Sequence, residues 1–429
     1  MTGPATVRSA TRRLVGLTAL RWLPVGLTTP ITVLLAQARG LSLAEIGVLF
    51  TVHGAVVVAL ELPTGGLADV LGRRPVVVAG TVLHLASCLV FATATSFSGF
   101  LAGILLLGVG RALDSGPVEA WYVDTVARID PAADVAPGLA RRSAADGGGL
   151  AVGAVAGGLL PGLLGGGADA LAWPYVVAAG LDLLFLAAVL RLLTEDRPPR
   201  EGSVGAALAA GARELPRTLT GAVRLSVTDG PMRVVLLLTA VGGVGLVGCE
   251  LLGPVRFADL AGGRDGGAAV YGSVLAISFG AAAVGAMAVP ALRRLLGGST
   301  RAACAVLTAV GALALATLAG PDVLGIAAAG FALYYVAHGA SWPLLSAVLH
   351  TRVAAVHRAT AVSAMSLAMA LGGIAGNLAV PPLVAAAGLE AGFLAVAAVA
   401  ALGVLGCLRL PRSTVADTAV APGGATVGY

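Results

Sequence analysis

The chain carries little charge. Only 11% of its 429 residues are charged, and 58% are hydrophobic. Soluble globular domains carry about 25% charged residues. So much apolar surface cannot be hidden in one core, which excludes a soluble globule and requires that most of it face lipid. Lysine is absent, and all 27 basic residues are arginine. That bias reflects coding-DNA composition rather than a binding role. The net charge is +5, yet the arginines lie in scattered short loops. No basic patch forms, so a nucleic-acid partner is excluded. Cysteine is scarce: Cys88, Cys249, Cys304 and Cys407 are single, far apart and in or beside apolar runs. They have neither the spacing of a metal or redox motif nor that of a disulfide framework. There is no P-loop, no H-E-x-x-H and no G-x-S-x-G, and the five histidines form no metal-ligand pattern. The expectation is therefore no metal, no cofactor and no enzyme. A non-transporting membrane receptor or enzyme is kept as a remote alternative.

What the chain does have is long apolar runs. A helix needs about 20 residues to cross the hydrocarbon core. Twelve spans are predicted, near 14–37, 45–66, 75–95, 99–125, 143–166, 172–193, 232–253, 268–292, 301–320, 322–349, 360–387 and 389–410. Arg8, Arg12 and Arg13 precede the first run, as in a signal peptide. The run from Leu14 to about Ala36 is long enough to span and lacks a clear cleavage site, so it reads as a retained helix. With the N-terminus inside, all but five of the 27 arginines fall on the inner side or its helix ends. Arg39, Arg256 and Arg264 lie in outer loops, and Arg21 and Arg111 lie within spans. The positive-inside rule then puts both termini in the cytoplasm. The 61 glycines suit membrane helices, where small residues allow close packing.

The longest connection runs from Thr194 to Pro231, with an amphipathic piece near Ala206–Leu225. It divides the chain into an N-terminal bundle at 1–193, a cytoplasmic linker at 194–231, a C-terminal bundle at 232–411 and a disordered tail at 412–429. The halves echo weakly at a separation of roughly 217 residues, a parallel repeat found in transporters. Arg141-Arg142 before Gly147–Gly158 corresponds to Arg358 before Leu367–Gly376.

The most specific stretch lies between the second and third spans: Gly65-Gly66-Leu67-Ala68-Asp69-Val70-Leu71-Gly72-Arg73-Arg74. It resembles the signature loop between helices 2 and 3 of the major facilitator superfamily, roughly G-x-L-A-D-R-x-G-R-K. It departs mainly at Val70, where the family has a basic residue. Gly72 permits a tight turn, and Arg73 and Arg74 open the third helix. The resemblance implies an all-α membrane fold of two six-helix bundles. It also implies a cytoplasmic latch in which Asp69 binds a helix N-terminus of the other half, with Arg358 as candidate partner. An orientation signal alone is the alternative. The loop after the eighth span, Leu292 to Gly298, keeps Arg293 and Arg294 but has no acid, so the latch is expected to be one-sided.

The fourth span holds Gly108-Val109-Gly110-Arg111-Ala112-Leu113-Asp114-Ser115-Gly116-Pro117-Val118-Glu119-Ala120-Trp121-Tyr122. Arg111 falls near the midplane, where a charge is costly and is usually paired and functional. Asp114 follows at i+3 as its expected local partner. Arg111, Asp114, Ser115, Val118 and Tyr122 are expected to share one helical face. The family's helix-4 motif has glycine four residues after the arginine; here Gly116 comes five after. Arg21, Glu61 and Glu119 lie at similar depth and are expected to form a second charge cluster, with snorkelling of Arg21 as the alternative. His84 and Asp182 are expected to form a structural pair. His53 is a weak proton-relay candidate, and Glu250 is placed near the outer end of its span.

Glu61-Leu62-Pro63-Thr64-Gly65 and Glu119-Ala120-Trp121 look like a branch of bacterial drug and metabolite exporters. The fifth span reads Pro161-Gly162-Leu163-Leu164-Gly165-Gly166, similar to the exporters' glycine-rich motif but with Pro and Gly exchanged. The resemblance thus implies a monomer in the bacterial cytoplasmic membrane that expels a small, partly apolar molecule against proton entry. Arg21, Glu61, Arg111, Asp114 and Glu119 are its coupling and cavity candidates. A proton-coupled symporter importing a small nutrient is the alternative.

Overall fold

The computed structural model describes residues 4, 6–65, 67–114, 116–194, 203–352 and 358–410. Every regular element among them is helical. Twelve segments are long and apolar enough to cross a membrane. They are α1 (Val7–Ala38), α2 (Leu43–Glu61), α3 (Arg73–Thr93), α4 (Phe97–Ile129), α5 (Ala136–Leu163), α6 (Ala170–Leu192), α7 (Gly230–Leu260), α8 (Arg264–Leu295), α9 (Thr300–Leu318), α10 (Leu324–Thr351), α11 (Ala361–Ala387) and α12 (Leu389–Cys407). The helix bearing α2 runs on to Gly65. The predicted amphipathic piece is a longer helix, Val204–Thr228. The expected tail at 412–429 lies outside the described residues.

Among the described residues three spans are interrupted, and proline is near each interruption. In α1 the helix ends at Thr28 and resumes at Thr32, around Pro30. The hydroxyls of Thr28 and Thr29 donate to the carbonyls of Pro24 and Val25, so backbone groups at membrane depth stay satisfied. In α4 the helix stops at Leu113 and restarts at Pro117. Gly116 takes a left-handed φ of 97°, and Pro117 occupies the first helical position of the new segment. In α7 a π-helical turn, Gly248–Leu252, absorbs the strain ahead of Gly253 and Pro254, and the helix continues to Leu260.

The packing repeats from one set of six helices to the other. α1 packs on α5 as α7 packs on α11; α2 on α4 as α8 on α10; α3 on α4 and α6 as α9 on α10 and α12. The α1–α5 and α7–α11 crossings are built on glycine. A Cβ on Gly149 would meet the Ala19 carbonyl, one on Gly153 the Leu23 carbonyl, and one on Gly243 the Met369 carbonyl. Small residues let these backbones approach closely where lipid offers no hydrophobic drive to associate.

The two sets touch mainly along α5–α8 and α2–α11. The contacts lie toward one end. Gly158 and Gly272 pack against the backbones of Ala268 and Ala154, and Gly47 against that of Asn377. At the same end, the N–H of Gly167, in the α5–α6 loop, donates to both carboxylate oxygens of Asp265 in the first turn of α8, at 3.2 and 3.0 Å. Gly165, Gly166 and Gly167 all have positive φ, which turns that loop toward Asp265. At the opposite, arginine-rich end, α4 makes no substantial contact with α10 or α11 among the described residues. There the helix Val204–Thr228 lies against α2, α7 and α11.

Candidate functional site

The break in α4 reorganises the charges predicted for it. A continuous helix would put Asp114 beside Arg111. Instead Asp114 caps the end of the first segment. Its carboxylate turns to α1 and accepts from Arg21 Nε at 2.8 Å. The expected Arg111–Asp114 pair is therefore replaced by an Arg21–Asp114 pair, buried with side chains 9% and 10% exposed. Arg21 does not snorkel. Arg111 lies over the Trp22 ring, with its guanidinium carbon 5.2 Å from the centroid.

The second predicted cluster is also redrawn. Glu119 Oε2 pairs with Arg142 Nη1 of α5 at 2.9 Å, not with Arg21. Glu61 is exposed, lines none of the cavities described here and makes no ion pair among the described residues. Asp146 of α5, which was not singled out from the sequence, takes its place. Arg21, Arg111, Asp114, Glu119, Arg142 and Asp146 line one cavity of about 280 Å³. Arg21 Nη1 and Asp146 Oδ1 are buried there without hydrogen-bond partners among the described residues. A lone carboxylate in a membrane helix, following Arg141-Arg142, was the available signal.

A second cavity, of about 340 Å³, lies between the two sets of six. α1, α2 and α4 contribute Thr29, Thr32, His53 and Leu107, and α7 and α11 contribute Glu250, Met369, Ile374 and Asn377. Its walls are mostly apolar. Glu250 sits in the π-turn of α7. The expectation that it lies near the end of its span is corrected: α7 continues to Leu260, and Glu250 faces the cavity. No cation pairs with it among the described residues. A smaller, largely apolar pocket of about 70 Å³, lined by Tyr334, His338 and Ser341, adjoins it and shares Met369.

The signature loop forms as its glycine implies. Gly72 has φ 91°, and the third helix starts at Arg73. Arg73 Nη2 pairs with Asp124 Oδ2 at 2.6 Å, and Arg74 donates to the Leu190 carbonyl at 2.7 Å. Both contacts stay within the first six helices. Gly65 closes the helix of α2, and Asp69 lies in a short helix, Leu67–Leu71. The side chains of Asp69 and Arg358 lie outside the described residues, and so does the expected contact between them.

Comparison with known proteins places this architecture. The profile of the Major Facilitator Superfamily matches residues 14–376. The chain is 30% identical over 105 residues to an uncharacterized MFS-type transporter of Methanocaldococcus jannaschii, a stretch of 24% of this chain and 27% of that protein. It is 36% identical over 76 residues to the multidrug resistance protein MdtL of Klebsiella pneumoniae, covering 18% and 19% of the two. The matched stretches thus span about a quarter or less of these relatives. Over the whole fold, the nucleoside transporter NupG superimposes with a TM-score of 0.74 at 15% identity, covering 93% of this chain and 98% of that one. A peptide transporter POT in complex with sulfate gives 0.72 at 14% identity, covering 93% of each. At such identities the likeness is one of fold. With the profile over most of its length and twelve helices among the described residues long and apolar enough to cross a membrane, the chain belongs to the Major Facilitator Superfamily and is a multi-pass membrane transporter, not an enzyme.

Proposed function

We propose that this transporter expels a small, partly apolar molecule from a bacterial cell in exchange for protons. The carrying observation is Glu250, a carboxylate with no cationic partner among the described residues, in a mostly apolar cavity between the halves. An ionisable group inside a membrane is by default a functional candidate. In alternating access this group meets both sides in turn, so a proton and a substrate compete for one carboxylate. The apolar walls suit the uncharged part of the substrate. With the arginine-rich end in the cytoplasm, the contacts along α5–α8 and α2–α11 close the outer end, and the cavity faces inward. Similarity to MdtL favours export.

The test uses inverted vesicles acidified inside and a panel of fluorescent amphiphilic cations. Probe accumulates in the lumen, a protonophore abolishes the accumulation, and Glu250→Gln loses it while retaining probe counterflow. Accumulation that outlasts the proton gradient would overturn antiport. Uptake of probe into right-side-out cells, driven by the same gradient, would establish the symporter.

A further inference from the structure

We propose that His84, Cys88 and Asp182 form a zinc-class divalent metal site that clamps α3 to α6. His84 and Cys88 are one helical turn apart on α3, so both reach the same spot on the facing helix. Asp182 of α6 occupies it. His84 Nδ1 lies 2.6 Å from Asp182 Oδ2. Cys88 Sγ lies 3.9 Å from each of these atoms. One ligand atom from each residue thus falls within 4.8 Å of the others. All three residues are buried, and Asp182 is 0% exposed.

The pair expected from the sequence exists, but it leaves a remainder. A His84–Asp182 pair occupies Oδ2 only. Asp182 Oδ1 is buried in the same place with no hydrogen-bond donor among the described residues. An isolated buried carboxylate oxygen is costly, and native structures seldom leave one. A metal ion accounts for it. Tetrahedral zinc takes nitrogen and oxygen at about 2.0 Å and sulfur at about 2.3 Å. Its donors therefore stand about 3.3–3.6 Å apart, and the three observed separations need sub-ångström adjustments to admit the ion. Imidazole Nδ1, thiolate Sγ and the Asp182 carboxylate supply three protein ligands, and the fourth position is left to a water. The charge also balances. One thiolate and one carboxylate cancel a divalent cation, so the loaded site is neutral at membrane depth, where an unbalanced charge is expensive. Binding releases the thiol proton. A nitrogen, sulfur and carboxylate set favours zinc or cobalt over magnesium or calcium. The sequence shows only an H-x-x-x-C, because the third ligand comes from a helix three spans later.

The test uses the full-length protein in detergent, freed of any polyhistidine tag. Wild type should purify with one zinc per chain by elemental analysis. After chelation and cobalt titration it should show a thiolate-to-cobalt charge-transfer band in the near ultraviolet. Cys88→Ser, which preserves volume, should lose that band, and Cys88→Ser and Asp182→Asn should each bind cobalt roughly tenfold or more weakly. Chelation should lower the unfolding midpoint of wild type, and zinc should restore it. Wild type that carries no more metal than Cys88→Ser and gives no charge-transfer band would overturn the proposal. If neither variant folds, the cobalt spectrum and the chelator response of wild type decide alone.

Discussion

The partner of Asp114 can be tested by energetics. Arg21 Nε and Asp114 Oδ2 are 2.8 Å apart, and each side chain is about nine-tenths buried. Removing one member of a buried pair strands the other charge and costs about 3–5 kcal/mol. Asp114→Asn or Arg21→Met alone should therefore destabilise the protein by about that much. Changing both should cost less than either, which requires a coupling of at least about 3 kcal/mol, the upper end for residues in contact. Arg111 provides the control. Its face-on contact with Trp22 is worth about 0.5–2 kcal/mol, and its coupling to Asp114 should be near zero. Equilibrium unfolding in mixed micelles, run as two double-mutant cycles on Asp114, measures both couplings. Stronger coupling of Asp114 to Arg111 than to Arg21 would refute the assignment. Additive losses at Arg21 and Asp114 would do so as well.

Gly158→Val should hold the α5–α8 crossing apart, because its Cβ would overlap the Ala268 carbonyl. Cysteines placed along that crossing should become accessible to polar thiol reagents, and unchanged accessibility would count against the closed end described here. Asp265→Asn keeps the shape but exchanges a charged acceptor for a neutral one opposite Gly167, a loss of about 1 kcal/mol for a partly exposed bond. Disulfide trapping between the α5–α6 loop and the start of α8 should slow several-fold; an unaltered rate would show that the contact does not hold the end shut. Asp69→Asn should reduce transport with expression intact and weaken inter-half crosslinking at the arginine-rich end. If both persist, the latch reading fails.

The twelve spans were legible because hydropathy and span length act locally, and lipid imposes them. The His84–Asp182 pair was legible too, but the charge pairs around α4 were not, because they depend on which residues distant elements bring together. Arg21 and Asp114 are 93 positions apart, and nothing in either neighbourhood names the other. The break in α4 was written in Gly116-Pro117, since proline disfavours helix at the residue before it and glycine accepts left-handed φ. Reading through it made Arg111 and Asp114 look like neighbours on one face. At α7 the predicted span ended near 253, where Pro254 follows, yet the helix continues to Leu260. A π-turn at Gly248–Leu252 carries it past the proline, and so the position of Glu250 in its span was misjudged. The glycine of the signature loop behaved as its type requires, whereas the partner of Asp69 could not be read from loop residues alone.

The crossing of α5 and α8 has a kinetic consequence. Gly158 and Gly272 meet the opposite helix through backbone atoms. At these two positions no side chain has to change rotamer before the helices part. The attraction is a sum of many dispersion contacts, each about 0.1–0.2 kcal/mol, and these fade smoothly with distance. Such a surface behaves like two worn plates rather than a clasp. It offers no high local barrier, so under the alternating access proposed above the rate of reopening should be set by the discrete bonds around it, the Gly167–Asp265 tie among them, and by whatever occupies the cavity behind.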